Sequence, residues 1–216
     1  MRRIQLLVAI ILLPVLSFAQ GPASKVLPVK IDLGIKVGAN FANLDGKQWE
    51  SGYKPGFVGG IFGGVSGKRF GVTAELLFSQ VKYTGNGLDF YYRNGSAAAS
   101  DYNNPADSAK KGDFAVSYLN IPILLNVKIV GPLWFQVGPQ YSGVLSINDK
   151  SNLLKDTKGL LKSGDIAGVL GLQLNLPMGL RASARYIIGL GDMNASSVSD
   201  SWKTRTIQLG VGYSFL

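Results

Sequence analysis

Residues Val29–Phe41 read VKIDLGIKVGANF. Every odd position of this stretch is apolar, and every even position is charged, polar or glycine. A period of two that holds over thirteen residues predicts a β-strand with two chemically different faces. The rest of the chain repeats the pattern and offers no helix or second sheet to cover the apolar face. We therefore expect that face to meet lipid.

Composition narrows the function classes. The chain has 216 residues, enough for one domain, and contains neither Cys nor His. These absences exclude disulfides, thiol nucleophiles, Ser-His-Asp triads and His-ligated zinc. We expect no cofactor, no metal site and no enzymatic activity. The formal charge of +9 comes from Lys and Arg scattered singly along the chain, without an RNA- or DNA-binding motif. This distribution favours an anionic membrane surface over nucleic acid.

The first twenty residues are typical of an export signal. Basic Arg2 and Arg3 precede the apolar run Ile4–Leu16, and the small residues Ser17 and Ala19 lie three and one positions before a predicted cut. The apolar run is shorter than the ~20 residues of a membrane-spanning helix. The predicted organisation is a signal peptide at 1–19, a short lead at 20–28 and a barrel domain at 29–216.

Eight strands are predicted in all, most of them by alternation of the same kind; the second is too glycine-rich for the pattern to fix which way its faces point. Their predicted ranges are Val29–Phe41, Gly56–Ser66, Phe70–Tyr83, Phe114–Ile129, Leu133–Ile147, Asp165–Leu176, Leu180–Leu190 and Thr204–Phe215. Long polar loops follow the odd-numbered strands, and turns of three or four residues follow the even-numbered ones. This asymmetry predicts an all-β, eight-stranded antiparallel up-and-down transmembrane β-barrel in a bacterial outer membrane. Closure follows because an open sheet edge in hydrocarbon leaves amides unpaired.

Two local features of the strands carry further expectations. The alternation slips at Ser79-Gln80 and again just before Pro122, and each slip predicts a β-bulge. Aromatic residues near strand ends predict girdles at both membrane interfaces. The girdle candidates are Phe41, Phe57, Phe70, Tyr83, Phe114, Trp134, Trp202, Tyr213 and Phe215.

Several segments resemble the PorT-like outer-membrane β-barrel proteins of Gram-negative bacteria. They are SFAQ, GIKVGANFANL, KPGFVGGIFGG, AELLFSQVKY, YLNIPILLNV, FQVGPQYSGVL, GVLGLQLNLPMGLRASARYIIGL and IQLGVGYSF. YLNIPILL and RYIIGL…GVGYSF are the more specific of these. The resemblance covers nearly the whole mature chain. It implies an eight-stranded outer-membrane barrel and, through one branch of the family, a link to protein secretion.

The inward-facing polar residues are the place to look for a site. The candidate network consists of Asp32, Lys36, Glu75, Gln136, Gln140, Arg181, Arg185 and Gln208, with Asn40, Thr73, Asn126, Lys128 and Gln173 on the same face. An eight-stranded barrel has an interior just filled by side chains, so we expect ion pairs and hydrogen bonds that plug the bore. The alternative is a small pore or a ligand-binding barrel.

Function is expected at the external loops. The loop Thr84–Asp113 is the main candidate, and its aromatic residues Phe90, Tyr91, Tyr92 and Tyr102 are the candidate contacts. The expected partners are outer-membrane lipid and other envelope or secretion proteins, with the barrel itself monomeric. A soluble, lipocalin-like carrier is the third reading. The large apolar faces opposite Gln, Arg and Gly argue against it, because that arrangement is inside-out.

Overall fold

The computed structural model describes residues 29–47, 49–86, 110–152, 157, 160–195 and 201–216. Eight antiparallel strands make up most of them: β1 Lys30–Asp45, β2 Lys54–Ser66, β3 Phe70–Asn86, β4 Lys111–Val130, β5 Leu133–Asp149, β6 Gly164–Asn175, β7 Leu180–Gly189 and β8 Lys203–Ser214. A short 3-10 turn, Pro177–Gly179, joins β6 to β7. Each strand pairs with the next, and β8 pairs with β1, so the sheet closes into a barrel. The predicted fold is confirmed.

The connections alternate between the two ends of the barrel. We call the end with the connections 67–69, 131–132 and 176–179 the short-turn end, and the opposite end the long-loop end. The predicted signal peptide, the lead and the four loop aromatics Phe90, Tyr91, Tyr92 and Tyr102 lie outside the described residues. In the described part of the chain, no helix is long and apolar enough to cross a membrane.

The apolar side chains point outward from the barrel wall. Ile31, Leu172 and Leu209 keep 52%, 46% and 47% of their surface exposed, whereas Glu75 and Arg185 keep 5% and 3%. A water-soluble carrier would show the reverse, with its apolar side chains enclosed. The wall therefore fits a hydrocarbon environment, and the bore is polar.

The predicted bulge in β3 is wrong. Ser79 and Gln80 pair in unbroken register with β2 and with β4. The side chains also alternate without a slip, because Ser79, Val81 and Tyr83 are all buried on the inward face. The apolar residues beyond Ser79 mark a change in what fills the barrel, from polar side chains to a hydrophobic cluster.

The predicted bulge before Pro122 is wrong for the same reason. Phe114 and Tyr118 share the inward face with Pro122, and β3 and β4 keep one register from Thr84↔Asp113 to Phe70↔Val127. Proline has no N–H to donate, so the ladder to β3 skips Pro122 without shifting. A register shift does occur opposite Ser117 and Tyr118, where Leu145 of β5 is the extra residue.

The aromatic girdle is only partly as expected. Phe57, Phe70, Tyr213 and Phe215 lie exposed on the outer wall near strand ends, and Phe41 is partly buried. The other four candidates are buried: Tyr83, Phe114, Trp134 and Trp202. For these four the girdle assignment is wrong, because Tyr83, Phe114 and Trp202 fill the barrel at the long-loop end and Trp134 lines a cavity at the short-turn end.

Candidate functional site

A buried ion pair lies at mid-height in the bore and joins opposite walls. Arg185 of β7 binds Glu75 of β3 through both ends of its guanidinium, with Nη1···Oε2 at 2.6 Å and Nη2···Oε1 at 2.7 Å. Lys36 of β1 donates to Glu75 Oε2 at 3.5 Å. All three side chains are at least nine-tenths buried. The bidentate geometry offsets part of the desolvation cost that two isolated charges would carry here.

Gln136 of β5 extends this ion pair into a network across the bore. Its Oε1 accepts from Arg185 Nε at 2.9 Å, and its Nε2 donates to Asn126 Oδ1 at 2.7 Å and to Gln173 Oε1 at 3.0 Å. Asn126 in turn donates to Thr73 Oγ1 at 2.8 Å. The side chain of Gln136 is fully buried. Six of the eight strands therefore contribute to one hydrogen-bonded layer, which makes the layer a rigid septum.

A second polar group closes the bore nearer the short-turn end. Arg181 Nη2 lies 2.6 Å from Asp32 Oδ1, and Ser66 Oγ donates to Asp32 Oδ2 at 3.0 Å. The guanidinium of Arg181 also stacks 4.9 Å from the ring centre of Phe62. Below this group the bore opens into a cavity of ≈ 320 Å³ at the short-turn end.

A third polar layer lies above the septum. Gln208 Nε2 donates to Asn40 Oδ1 at 3.1 Å, and Gln140 Nε2 donates to Ser142 Oγ at 3.0 Å. These side chains line a cavity of ≈ 40 Å³ into which the unpartnered Oε1 of Gln208 is buried. A second gap at the level of Lys36 measures ≈ 10 Å³. Spaces of this size hold one or a few water molecules.

A hydrophobic cluster, which we call the mouth cluster, fills the barrel at the long-loop end. It consists of Ala42, Leu44, Trp49, Val81, Tyr83, Phe114, Val116, Tyr118, Leu160, Leu161, Met193 and Trp202. Trp49 is at its centre, with edge-to-face contacts to Trp202, Phe114 and Tyr83 at centroid distances of 5.2, 5.7 and 5.9 Å. Such aromatic pairs add to the stabilisation from burial alone.

The loops that carry the mouth cluster are tied down by backbone hydrogen bonds. Glu50 N donates to Thr84 O at 2.8 Å, which fixes Trp49 over the bore. Met193 N donates to Trp202 O at 2.9 Å. The Asp192 carboxylate accepts from the backbone N–H of Asn194 at 3.0 Å and of Trp202 at 2.9 Å. Partial desolvation acts to raise the pKa of Asp192, but these two bonds and the charge of Lys162 outweigh it and hold the pKa below its usual value.

Exposed ion pairs surround the mouth cluster. Lys111 Nζ lies 2.9 Å from Glu50 Oε1, and Lys54 Nζ lies 3.4 Å from Glu50 Oε2. Hydrogen bonding and charge from Lys111, and then from Lys54, hold the pKa of Glu50 below its usual value. Lys54 also contacts Thr84, which binds Asp113. These solvent-exposed pairs fix the geometry of the rim but contribute little stability.

The eight predicted network residues all face the bore but form separate groups. Lys36, Glu75, Arg185 and Gln136 meet in the septum, whereas Asp32 and Arg181 form the group nearer the short-turn end. Gln140 and Gln208 line the upper cavity; Gln208 is paired with Arg185 across β7 and β8, but its side chain donates to Asn40. Of the residues expected on the same face, Lys128 is exposed instead, with its Nζ 6.0 Å from the ring centre of Trp134.

Five mouth-cluster residues lie in loops, where strand periodicity gives no signal. They are Trp49, Leu160, Leu161, Met193 and Trp202. The sequence signal that could identify such residues is a large apolar side chain inside an otherwise polar loop, because that side chain is costly to expose to water. Taken together, the septum and the mouth cluster close the bore over most of its length.

Comparison with known proteins identifies relatives at the level of family and fold. A family model described as "Outer membrane protein beta-barrel domain" matches residues 18–215. No curated protein sequence matches the chain. Among solved structures, the neisserial surface protein A is 14% identical with a TM-score of 0.47, covering 85% of this chain and 97% of its own. Ail, the attachment invasion locus protein of Yersinia pestis, solved with the heparin analogue sucrose octasulfate, is 16% identical with a TM-score of 0.47, covering 86% and 99%.

Proposed function

Because the chain belongs to the outer membrane protein beta-barrel domain family, we propose that it is a closed-bore barrel that acts through its external loops. In this role the barrel is a rigid support, and recognition takes place at the long-loop end, which faces the cell exterior in such barrels. Catalysis is not part of the proposal, since neither Cys nor His is present.

The observation that carries the proposal is the double closure of the bore. The septum around Glu75, Arg185 and Gln136 blocks the middle, and the mouth cluster around Trp49 fills the long-loop end. A pore needs a continuous water-filled path, whereas two gaps above the short-turn cavity, within the described part of the chain, measure ≈ 10 and ≈ 40 Å³. This favours a supporting role over the alternative of a conducting pore.

The same closure gives the external loops a firm base. β3 reaches Asn86 and β4 begins at Lys111, so the loop between them starts and ends on paired strands. Phe90, Tyr91, Tyr92 and Tyr102 lie in that loop and are the proposed contact residues. The proposed partner is another protein of the cell envelope, with the components of a secretion apparatus as the first candidates. The barrel itself is proposed to be monomeric.

Electrical recording tests the closed bore. The mature protein in planar bilayers is expected to show no steady single-channel openings. A Trp49→Ala, Arg185→Ala double variant that still folds is expected to show them, because both closures are weakened. Steady openings from the unaltered protein contradict the proposal.

Crosslinking tests the interaction role separately. Cells that produce the intact protein or a Tyr91→Ser, Tyr92→Ser variant are crosslinked, and the captured envelope proteins are compared. Lys150→Ser, in a different exposed loop, is the matched control. A partner that is lost with the tyrosines and retained with the control supports the proposal. An identical set of proteins in all three samples contradicts it.

A further inference from the structure

The turn between β2 and β3 separates two recesses at the short-turn end. On its inner side is the ≈ 320 Å³ cavity where the bore opens at the short-turn end. On its outer, lipid-facing side is an open groove of ≈ 590 Å³. Ser66, Gly67 and Lys68 line both. A molecule lying over this turn can therefore occupy the outer groove and reach the inner cavity at the same time.

The two recesses differ in chemistry. The outer groove is walled by Val29, Val65, Phe70, Val72 and Leu125, and its surface is overwhelmingly apolar. These side chains sit on the outward face of the barrel at the edge of the membrane-spanning wall. The groove has the shape and apolar character that suit an acyl chain.

The inner cavity carries an excess of positive charge. Lys30, Lys68 and Arg181 line it against a single carboxylate, Asp32. Arg181 already binds Asp32 at 2.6 Å, and Lys30 lies 3.7 Å from the same oxygen. Lys68 has no acidic partner among the described residues. Its ammonium group, on the shared turn, is therefore free to bind an anion.

The turn itself is held in place by hydrogen bonds, so the backbone of Lys68 has a fixed position. Gly67 N donates to Phe70 O at 2.7 Å, and Arg69 O accepts from Lys128 N at 2.8 Å. Ser66 Oγ is bound to Asp32 at 3.0 Å. The exposed side chain of Lys68 therefore extends from a fixed backbone between an apolar groove and a cationic cavity, where it can reach a lipid headgroup.

We propose that this turn binds one anionic phospholipid of the inner leaflet, with an acyl chain in the outer groove and the headgroup phosphate at Lys68. The charge excess selects a phosphatidylglycerol-type headgroup over a zwitterionic one, whose own cation is repelled by Lys30 and Lys68. Each lysine near a membrane surface strengthens binding of anionic lipid by about fivefold.

The experiment measures which lipid stays with the barrel. The mature protein is reconstituted with equal amounts of dioleoylphosphatidylglycerol and dioleoylphosphatidylcholine, extracted in mild detergent, and its retained lipid is counted by native mass spectrometry. The unaltered protein is expected to retain phosphatidylglycerol in preference to phosphatidylcholine. Lys68→Gln is expected to lower that retention about fivefold. Lys150→Gln, the same charge change at the opposite end of the barrel, is expected to leave it unchanged.

Two further arms test the groove and the source of the phosphate. Val72→Trp fills the groove and is expected to lower retention, whereas Leu209→Trp, on the outer wall at β8, is the matched control and is expected not to. Inorganic phosphate at millimolar concentration is expected not to displace the lipid. Any one of four results overturns the proposal: equal retention of both lipids, equal loss with Lys68→Gln and Lys150→Gln, unchanged retention by Val72→Trp, or displacement of the lipid by inorganic phosphate. The heat-dependent gel shift of each variant confirms that it is folded.

Discussion

Replacing Glu75 by Gln tests whether the septum stabilises the barrel. The substitution keeps the size of the side chain but removes the charge that Arg185 contacts at 2.6 and 2.7 Å and Lys36 contacts at 3.5 Å. Two buried cations are then left without a carboxylate. Breaking a buried ion pair by removing one partner costs about 3–5 kcal/mol, because the remaining charge stays desolvated. We expect the free energy of unfolding to fall by about this amount.

The measurement is reversible urea unfolding in phospholipid vesicles, followed by tryptophan fluorescence. A change in midpoint at constant slope reports a change in stability. Lys111→Gln is the control, since it removes an exposed ion pair with Glu50 and is expected to shift the midpoint very little.

A double-mutant cycle separates the ion pair from simple loss of packing. The double variant Glu75→Gln, Arg185→Met no longer leaves Arg185 buried without its carboxylate, so we expect it to cost less than the sum of the single variants by about 2 kcal/mol. The reasoning is refuted if Glu75→Gln shifts the midpoint no more than Lys111→Gln does. It is also refuted if the two single effects add without coupling.

Three further predictions concern the mouth cluster, the barrel wall and pH. Trp49→Ala removes the centre of the mouth cluster, and we expect a loss of about 3–5 kcal/mol in the same unfolding assay, together with increased binding of the dye ANS. Gly38→Ala is expected to destabilise by about 1–3 kcal/mol, since its Cβ would lie 2.0 Å from Leu209 O, whereas Gly168→Ala, with no atom within 4 Å, should change the midpoint little. The lowered pKa of Asp192 adds stability above the unfolded-state value of about 3.8, which is lost as pH falls through the folded-state value. The amide protection factors of Met193 and Trp202, which correct exchange rates for their intrinsic pH dependence, should therefore fall in acid and stay constant between neutral pH and about pH 5. Asp192→Asn should remove this dependence; an unchanged acid response in that variant would contradict it.

The fold could be predicted because the geometry of a membrane barrel determines the residue pattern of its strands. Each strand must turn apolar residues to lipid and polar or small ones to the bore, so a period of two survives over Val29–Phe41 and its counterparts. The predicted β-bulge at Ser79-Gln80 is wrong because it requires the apolar residues Val81 and Tyr83 to face outward. They face inward, since the long-loop end has a hydrophobic core of its own.

The pairing inside the bore could not be predicted in the same way. Alternation shows that Glu75 and Arg185 point inward, but they are 110 residues apart and their contact depends on strand tilt and register around the closed barrel. The placement of Trp49 and Met193 depends on loop conformations that have no period. Which inward residues touch is therefore a property of the closed structure rather than of any one strand.

The strands differ in length around the barrel, and this gives the molecule a tall side and a low side. β3, β4 and β5 have 17, 20 and 17 residues, whereas β6, β7 and β8 have 12, 10 and 12. Five more residues at a rise of about 3.3 Å, tilted by about 40°, lift that part of the rim roughly 13 Å higher. In the described residues, the hydrogen-bonded wall thus rises further on the side of β3, β4 and β5, so a molecule that contacts the strands from that side meets more of the barrel wall than one that contacts them from the side of β6, β7 and β8.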